Sequence, residues 1–141
     1  MRVRVEWGHC DPARIIFNPN YYIWMDYATH GLLKVAGFDL AEKLQDPTVR
    51  GFPLVKSEAE FISPAYYGDV LTLQTHVSRF GNKSFVTTHR FSRDDQTLCN
   101  GSEIRVWGVS DPETPDILKA VPVPEWIKQA LQETRQVDVT A

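Results

Sequence analysis

Asp11 is the first residue whose type and position suggest chemistry. It lies in the segment HCDPARIIFNPNYYIWMD (residues 9–26), shortly before a helix-like run. The unpaired N–H groups of a helix N-terminus can stabilise an oxyanion that develops on a carbonyl. A carboxylate facing them could attack the carbonyl carbon or activate water, so the pattern suits acyl transfer. The alternative is that Asp11 only caps a turn before Pro12, since Asp-Pro turns are common.

Asp26 is a second carboxylate, and it interrupts the apolar run itself, between Met25 and Tyr27. A buried carboxylate without a partner is costly. One explanation is a pair with His30 one helical turn away, facing solvent or a subunit boundary. The other is that Asp26 accepts a hydrogen bond from a polar group on a substrate. The residues alone leave both open.

The sequence lacks the motifs of serine hydrolases, nucleotide-binding proteins and metal sites. The chain contains no G-x-S-x-G, no phosphate-binding loop and no G-x-G-x-x-G, and its four histidines form no metal spacing. His9 and Cys10 are adjacent, so on an extended segment their side chains point to opposite faces, which disfavours a Cys-His pair. Cys10 and Cys99 are too few for a disulfide framework, which predicts reduced thiols in a cytoplasmic protein. We expect no metal and no bound cofactor.

Length and composition predict one domain over residues 1–141. The apolar fraction of 43% allows an ordinary core, and a net charge of −3 does not favour nucleic acid as the main partner. No apolar run approaches the roughly 20 residues that a membrane span requires, so no membrane association is expected.

One long helix is expected to position the two carboxylates. It should begin near Asn18 or Asn20, with Pro19 at its first turn, and continue to about Ala36, where Gly37 ends it. Its residues are apolar nearly all round, which is typical of a buried helix.

A sheet is expected to wrap this helix. Alternating residues predict a short first strand near the N-terminus and four later strands in an antiparallel meander, with Gly101 as a candidate bulge. A Pro-rich connection and a short helix should follow. The fold class is therefore α+β, with an antiparallel sheet of about five strands round one helix. The four later strands, the connection and the short helix are expected at 54–63, 70–80, 84–92, 97–110, 112–124 and 125–134.

The segment HCDPARIIFNPNYYIWMD resembles the hotdog-fold acyl-CoA thioesterases, and within them the 4-hydroxybenzoyl-CoA thioesterase group of the Pseudomonas type. The similarity continues in GFPLVKSEAEFISPAYYGDVLTLQTHV, NKSFVTTHRFSR and EIRVW. It implies the hotdog fold, hydrolysis of an acyl-CoA thioester, and homodimers that pair further into homotetramers. No metal or cofactor is implied, because CoA is part of the substrate.

The resemblance also implies roles for particular residues. Asp11 takes the position of the catalytic carboxylate, and the Asn18 backbone N–H takes that of the group that polarises the thioester carbonyl. Asp26 matches a carboxylate that meets the 4-hydroxyl of the aroyl group. Lys83 matches a basic turn residue associated with the CoA nucleotide. Arg14 departs from the pattern, because the family usually has Gly there.

Phe17, Trp24 and Arg105 complete the expected substrate-binding residues, with Arg105 among the basic side chains that could contact the CoA phosphates. The predicted reaction converts an aromatic acyl-CoA, 4-hydroxybenzoyl-CoA, and water into the free acid and CoA. Two alternatives are an aliphatic short- or medium-chain acyl-CoA thioesterase and a non-catalytic acyl-CoA-binding subunit.

Overall fold

The computed structural model describes residues 1–134, in which an antiparallel sheet of seven strands curls round one long helix. The predicted α+β class is confirmed, although the sheet has seven strands instead of about five. The last part of the predicted domain, 135–141, lies outside the described residues. A 3-10 turn at Trp7–His9 follows the first strand. The strands are β1 Arg2–Arg4, β2 Val49–Gly51, β3 Leu54–Phe61, β4 Val70–Phe80, β5 Ser84–Arg93, β6 Gln96–Asp111 and β7 Thr114–Val121, and the helices are α1 Pro19–Val35, α2 Leu40–Lys43 and α3 Glu125–Glu133.

The expected meander of four later strands is wrong at β3. β4, β5 and β6 are consecutive neighbours and β1 pairs with β4, but β3 pairs with β6, from Leu54 opposite Arg105 to Phe61 opposite Cys99. Alternation of side chains identifies strands but not their partners. The connection 62–69 is long enough to carry the chain across the sheet.

Two strands were missed because their sequences lack a clear strand pattern. β2 has only three residues, and β7 occupies most of the Pro-rich segment that was expected to be a connection. Pro115 fits there because β7 pairs only with β6 among the described residues and is therefore an edge strand. An edge strand can hold a proline without losing an internal ladder hydrogen bond.

α1 begins and ends as predicted. Asn18 is the N-cap residue and Pro19 is the first helical residue, although the Asn18 side chain makes no capping hydrogen bond. At the other end Gly37 has φ +92°, and the Phe38 N–H donates to the Leu33 carbonyl at 2.8 Å. This is the Schellman arrangement, in which a left-handed glycine turns the chain away from the helix.

Gly101 is not a bulge; it lets the helix approach the sheet closely. Gly101 pairs in regular register with Ala59 and His89, and a Cβ at this position would overlap the Met25 sulfur of α1. The register shift between β5 and β6 lies instead beside Phe91. The glycine is therefore needed for helix–sheet packing.

One side of α1 is not covered by its own chain. Ile23, Tyr27 and Val35 are 44%, 59% and 53% exposed, so burial all round the helix does not occur in a single chain. The opposite side packs on the inner face of the sheet, where Met25, Ala28 and Leu32 are buried. Within residues 1–134 no helix is long and apolar enough to cross a membrane.

Candidate active site

Asp11 lies in a tight hairpin between the 3-10 turn and α1. Cys10 bridges to Ile16, and the Asp11 N–H donates to the Ile15 carbonyl at 3.0 Å. Oδ1 of Asp11 accepts from the Ala13 N–H at 2.8 Å, which is the hydrogen bond of a turn cap. Among residues 1–134 no hydrogen bond is made by Oδ2. The turn-cap geometry therefore exists and leaves the second carboxylate oxygen available for chemistry.

Arg14 gives this hairpin an unusual backbone. Its φ is +66°, in the left-handed region, and its N–H donates to the Asp11 carbonyl at 2.8 Å. A non-glycine residue in that region costs about 1 kcal/mol, because Cβ crowds the following carbonyl. The loop thus has a backbone conformation that favours glycine, although the residue at this position is an exposed arginine.

The start of α1 is attached to the same hairpin. The Phe17 N–H and the Asn20 side-chain amide both donate to the His9 carbonyl, at 2.9 and 3.0 Å. Asn18 is exposed, and its backbone N–H donates to no acceptor in the part of the chain that the structure describes. Asp11 and a free N–H at a helix N-terminus therefore belong to one braced unit. Such an N–H can stabilise negative charge on a carbonyl oxygen.

A cavity of about 310 Å³ opens beside this unit. Ile15, Asn18 and Tyr21 form one side, and residues 61–65, from the last residue of β3 onward, form the other. Its size and largely apolar lining are within the range of small-molecule sites. An acyl group entering it would pass the Asn18 N–H.

Asp26 lies two helical turns beyond Asn18, and Arg105 of β6 contacts it from the side of the sheet. Arg105 Nη2 donates to Asp26 Oδ1 at 2.6 Å, and His30 Nε2 lies 3.6 Å from the same oxygen. The Asp26 side chain is 45% exposed, whereas that of Arg105 is 3% exposed. The expected contact with His30 is present, but the shorter contact is with Arg105.

Arg105 is held in turn by Glu103, two residues earlier on the same strand. Arg105 Nε and Nη2 donate to the two Glu103 oxygens at 3.1 and 3.0 Å, and Nη1 donates to the Phe52 carbonyl at 3.1 Å. This differs from the expectation that Arg105 contacts CoA phosphates, because its guanidinium is buried and fully engaged inside the chain. Its carboxylate contacts raise its pKa, although burial alone would lower it.

Glu103 is the centre of a buried polar network. Its Oε2 accepts from Thr29 of α1 at 2.7 Å, and His89 Nε2 lies 3.5 Å away. Burial alone would raise the Glu103 pKa, but the contacts with His89, Arg105 and Thr29 outweigh it and lower the pKa to about 2. The His30 pKa is lowered as well, but here burial is the cause, and it outweighs the opposite effect of Asp26.

The network was missed from the sequence because the alternation of residues is misleading here. Glu103 and Arg105 alternate with Ile104 and Val106, so the apolar pair would be expected to face inward, whereas Glu103 and Arg105 are the buried residues. The one signal was Trp107, a buried aromatic residue that shares their face of the strand.

The remaining expected residues are dispersed. Trp24 is buried in the core, where its ring packs against His9 and Phe91, whereas Phe17 is 54% exposed beside the helix start. Lys83 is exposed in the β4–β5 turn. It lies at the end of the sheet where Ser84 pairs with Val106.

A single chain does not bring Lys83 to the start of α1. Tyr21, near the helix start, packs on Phe91 with ring centroids 5.0 Å apart, and Phe91 pairs with Cys99. Ser84 and Phe91 are seven residues apart along β5, or about 23 Å in a strand.

The family model that matches residues 5–131 describes the Thioesterase-like superfamily. The chain belongs to this superfamily. It is 36% identical over 130 residues to the 4-hydroxybenzoyl-CoA thioesterase of Pseudomonas sp. (strain CBS-3), covering 88% of this chain and 90% of that protein. The resemblance seen in the sequence is therefore confirmed, and the chain is a thioester hydrolase. A purely non-catalytic role is set aside.

Solved structures agree with this assignment. A mutant of 4-hydroxybenzoyl-CoA thioesterase in complex with 4-hydroxybenzoyl-CoA superposes with a TM-score of 0.84 at 33% identity, covering 93% of this chain and 96% of that one. A gentisyl-coenzyme A thioesterase superposes with a TM-score of 0.79 at 32% identity, covering 94% and 98%. The predicted hotdog fold is thereby confirmed.

Proposed function

We propose that the protein hydrolyses 4-hydroxybenzoyl-CoA to 4-hydroxybenzoate and CoA. Its similarity to a 4-hydroxybenzoyl-CoA thioesterase over most of both chains supports an aromatic acyl-CoA substrate. The observation that carries the choice is Asp26, a half-exposed carboxylate on a mostly apolar helix, with one oxygen held by Arg105. An alkyl chain would give this carboxylate no partner, whereas a phenolic hydroxyl would donate a hydrogen bond to it.

The distances support an aromatic acyl group between Asn18 and Asp26. Eight residues of α-helix span about 12 Å. A carbonyl and a para hydroxyl are about 6 Å apart across a benzene ring, and a hydrogen bond of about 3 Å at each end gives a similar length.

The proposed reaction uses Asp11 and the Asn18 N–H on opposite sides of the thioester carbonyl. The N–H hydrogen-bonds the carbonyl oxygen and stabilises the negative charge that grows there. Asp11 either attacks the carbonyl carbon, forming an anhydride that water then opens, or removes a proton from an attacking water. In both routes the C–S bond breaks with its electron pair on sulfur, and CoA leaves as a thiolate that takes up a proton.

We also propose that the site is completed by a second copy of the chain in a homodimer, with homotetramers formed from two dimers. β3 has a free edge among the described residues, and Leu54, Val55 and Phe61 on it are exposed. Antiparallel pairing of two β3 edges would place the Arg105 end of one sheet beside the Cys99 end of the other. Lys83 of one copy would then approach the helix start of its neighbour, where the CoA phosphates could reach it. A cytoplasmic location is consistent with the two free thiols.

Mixed dimers test this arrangement directly. Asp11→Asn should abolish turnover, and Lys83→Glu should raise KM through charge repulsion with CoA. If Lys83 serves the neighbour's Asp11, one of the two sites in each mixed dimer has both wild-type residues and regains the wild-type KM. If both residues serve a site within one chain, mixing restores nothing and the proposed pairing is wrong.

A second candidate substrate is gentisyl-CoA, because the chain is 32% identical to a gentisyl-CoA thioesterase over 94% of its length. Steady-state kinetics with 4-hydroxybenzoyl-, gentisyl-, benzoyl-, phenylacetyl- and aliphatic CoA thioesters distinguishes the possibilities. We expect the highest kcat/KM with 4-hydroxybenzoyl-CoA and a larger loss for that substrate than for benzoyl-CoA in Asp26→Ala. A preference for gentisyl-CoA or an aliphatic thioester would reject the first choice.

A further inference from the structure

We propose that the buried Glu103–Arg105 pair positions the Asp26 carboxylate, and thereby makes the site select acyl groups that end in a hydrogen-bond donor. This inference rests on the proposed function, in which Asp26 meets the end of the acyl group. It assigns a role to two β6 residues that do not touch the substrate. They are positioning residues that act through Asp26.

The guanidinium of Arg105 has no freedom to move. Nε and Nη2 form a two-pronged contact with Glu103, and Nη1 donates to the Phe52 carbonyl. Such fork-shaped contacts fix both the position and the plane of an arginine. Nη2 donates its second hydrogen bond to Asp26 Oδ1 at 2.6 Å. The carboxylate is therefore oriented by a rigid group under the helix.

Glu103 makes a second contact between β6 and α1, in addition to the contact of Arg105 with Asp26. It accepts from Thr29 at 2.7 Å, and Thr29 lies three residues after Asp26 on the helix. Thr87 of β5 lies 3.2 Å from the Thr29 hydroxyl and supports it. β6 thus contacts α1 at two residues within one helical turn, which restricts rotation of Asp26 relative to the sheet.

One Asp26 oxygen remains for a ligand. Oδ1 is occupied by Arg105, whereas Oδ2 takes no hydrogen bond from any residue in the range 1–134. Because Oδ1 is fixed, the direction of Oδ2 is fixed as well. A group held at the start of α1 would therefore meet a preset acceptor.

The charges around this acceptor define the chemical class that it favours. Asp26 and Glu103 each carry a negative charge, and Arg105 carries one positive charge, so the cluster is negative by one unit. His30 adds no positive charge near neutral pH, because burial lowers its pKa. A hydroxyl or amino group can donate to Oδ2, whereas a carboxylate is repelled and a methoxy group has no proton to donate.

Fold stability alone does not explain the pair. Buried ion pairs often contribute little net stability, and well-packed apolar residues of similar volume can replace them without loss. A role in orientation instead predicts a change in substrate discrimination that packing cannot restore. This difference can be measured.

The test compares kcat/KM for 4-hydroxybenzoyl-CoA and benzoyl-CoA in wild type, Arg105→Gln and the double variant Glu103→Leu/Arg105→Met. The double variant removes both charges with similar side-chain volumes, so it remains informative if Arg105→Gln fails to fold. We expect the ratio of the two kcat/KM values to fall about tenfold in each, the worth of one hydrogen bond. Arg90→Gln is the matched control, because Arg90 points outward from β5 and bonds Thr97, and it should leave the ratio unchanged.

Two further measurements separate a positioning role from a structural one. In an Asp26→Asn background, Arg105→Gln should lower the ratio no further, because the residue through which it acts has lost its charge. Wild type should accept 4-aminobenzoyl-CoA and reject 4-carboxybenzoyl-CoA. A ratio that stays at the wild-type value in the folded double variant overturns the inference.

Failure of the proposed function gives a different pattern. If wild type treats 4-hydroxybenzoyl-CoA and benzoyl-CoA alike and Asp26→Ala changes neither, the contact between Asp26 and the substrate is absent. If wild type discriminates and Asp26→Ala abolishes this while both Arg105 variants retain it, only the positioning role is wrong.

Discussion

Glu103→Gln should destabilise the protein by an amount that depends strongly on pH. Glu103 is 1% exposed, and its pKa falls from the ordinary value of 4.5 to about 2 in the folded chain. Each pKa unit corresponds to about 1.4 kcal/mol, so its ionised form contributes about 3 kcal/mol to folding at pH 7. Gln preserves the shape of the side chain but cannot carry the charge.

The direction of this pH dependence follows from the lowered pKa of Glu103. The contribution is fully present above pH 4.5, where the unfolded chain is ionised as well. It is lost as the pH falls towards 2, because the unfolded chain takes up a proton first. The stability gap between wild type and Glu103→Gln should therefore shrink from about 3 kcal/mol at pH 7 to about 1 kcal/mol at pH 3.

Urea unfolding at fixed protein concentration measures this gap, and a fixed concentration is needed because subunit association shifts apparent stability. Glu60→Gln on the exposed side of β3 is the control, and its gap should be small at every pH. A Glu103→Gln gap that is equal at pH 7 and pH 3 would mean that Glu103 is not an ionised group that the network stabilises.

Three other changes test separate parts of the structure. Arg14→Gly should raise the free energy of unfolding by about 0.5 kcal/mol in urea titrations, because relief of left-handed strain exceeds the added chain entropy, and a loss would contradict this. Gly101→Ala should lower the melting temperature, with a cost of about 1–3 kcal/mol from overlap with Met25, whereas Gly8→Ala, which has open space around it, should not. Asp11→Asn should lower kcat at least about 100-fold with little change in KM, and near-normal kcat would remove Asp11 from the mechanism.

Local sequence signals predicted the long helix well. Pro19 and Gly37 mark its ends through backbone preferences that do not depend on the rest of the fold. Exposure on one side of the helix could not be predicted. An apolar stripe through Ile23 and Tyr27 has the same sequence pattern whether the chain's own sheet or a partner subunit covers it. The burial pattern of one chain identifies the part that its own sheet leaves open.

The strand pairing was harder to predict, for a physical reason. Whether β3 joins β4 or β6 depends on how the connection crosses the sheet, and no residue in 62–69 specifies that path locally. β7 was hidden by Pro115 and by the prolines that flank the strand, and Pro115 is tolerated because β7 is an edge strand. Gly101 was interpreted as a bulge because a glycine in a strand has several causes, and the Met25 contact that explains it is distant in sequence.

The sequence nominated Asp11, Asn18 and Asp26 for the site but not the residues behind them. These three residues lie within one short segment, where spacing and resemblance both apply. Arg105 was predicted to bind substrate because it is basic, whereas in the structure its side chain points inward and pairs with Glu103. Residue type alone did not indicate this partner, which lies two residues away on the same strand face.

If Asp26 selects the acyl group as proposed, the network allows that selection to change without loss of the fold. Glu103 alone neutralises Arg105, and the Phe52 carbonyl and Glu103 together still satisfy most of its N–H groups. Asp26 is half exposed, so replacing it leaves no unpaired charge in the core. Losing Glu103 instead leaves a buried guanidinium with one partly exposed counterion, which is costly. Substitution at position 26 is therefore the low-cost route to a different acyl group, whereas the pair beneath it can change only as a unit.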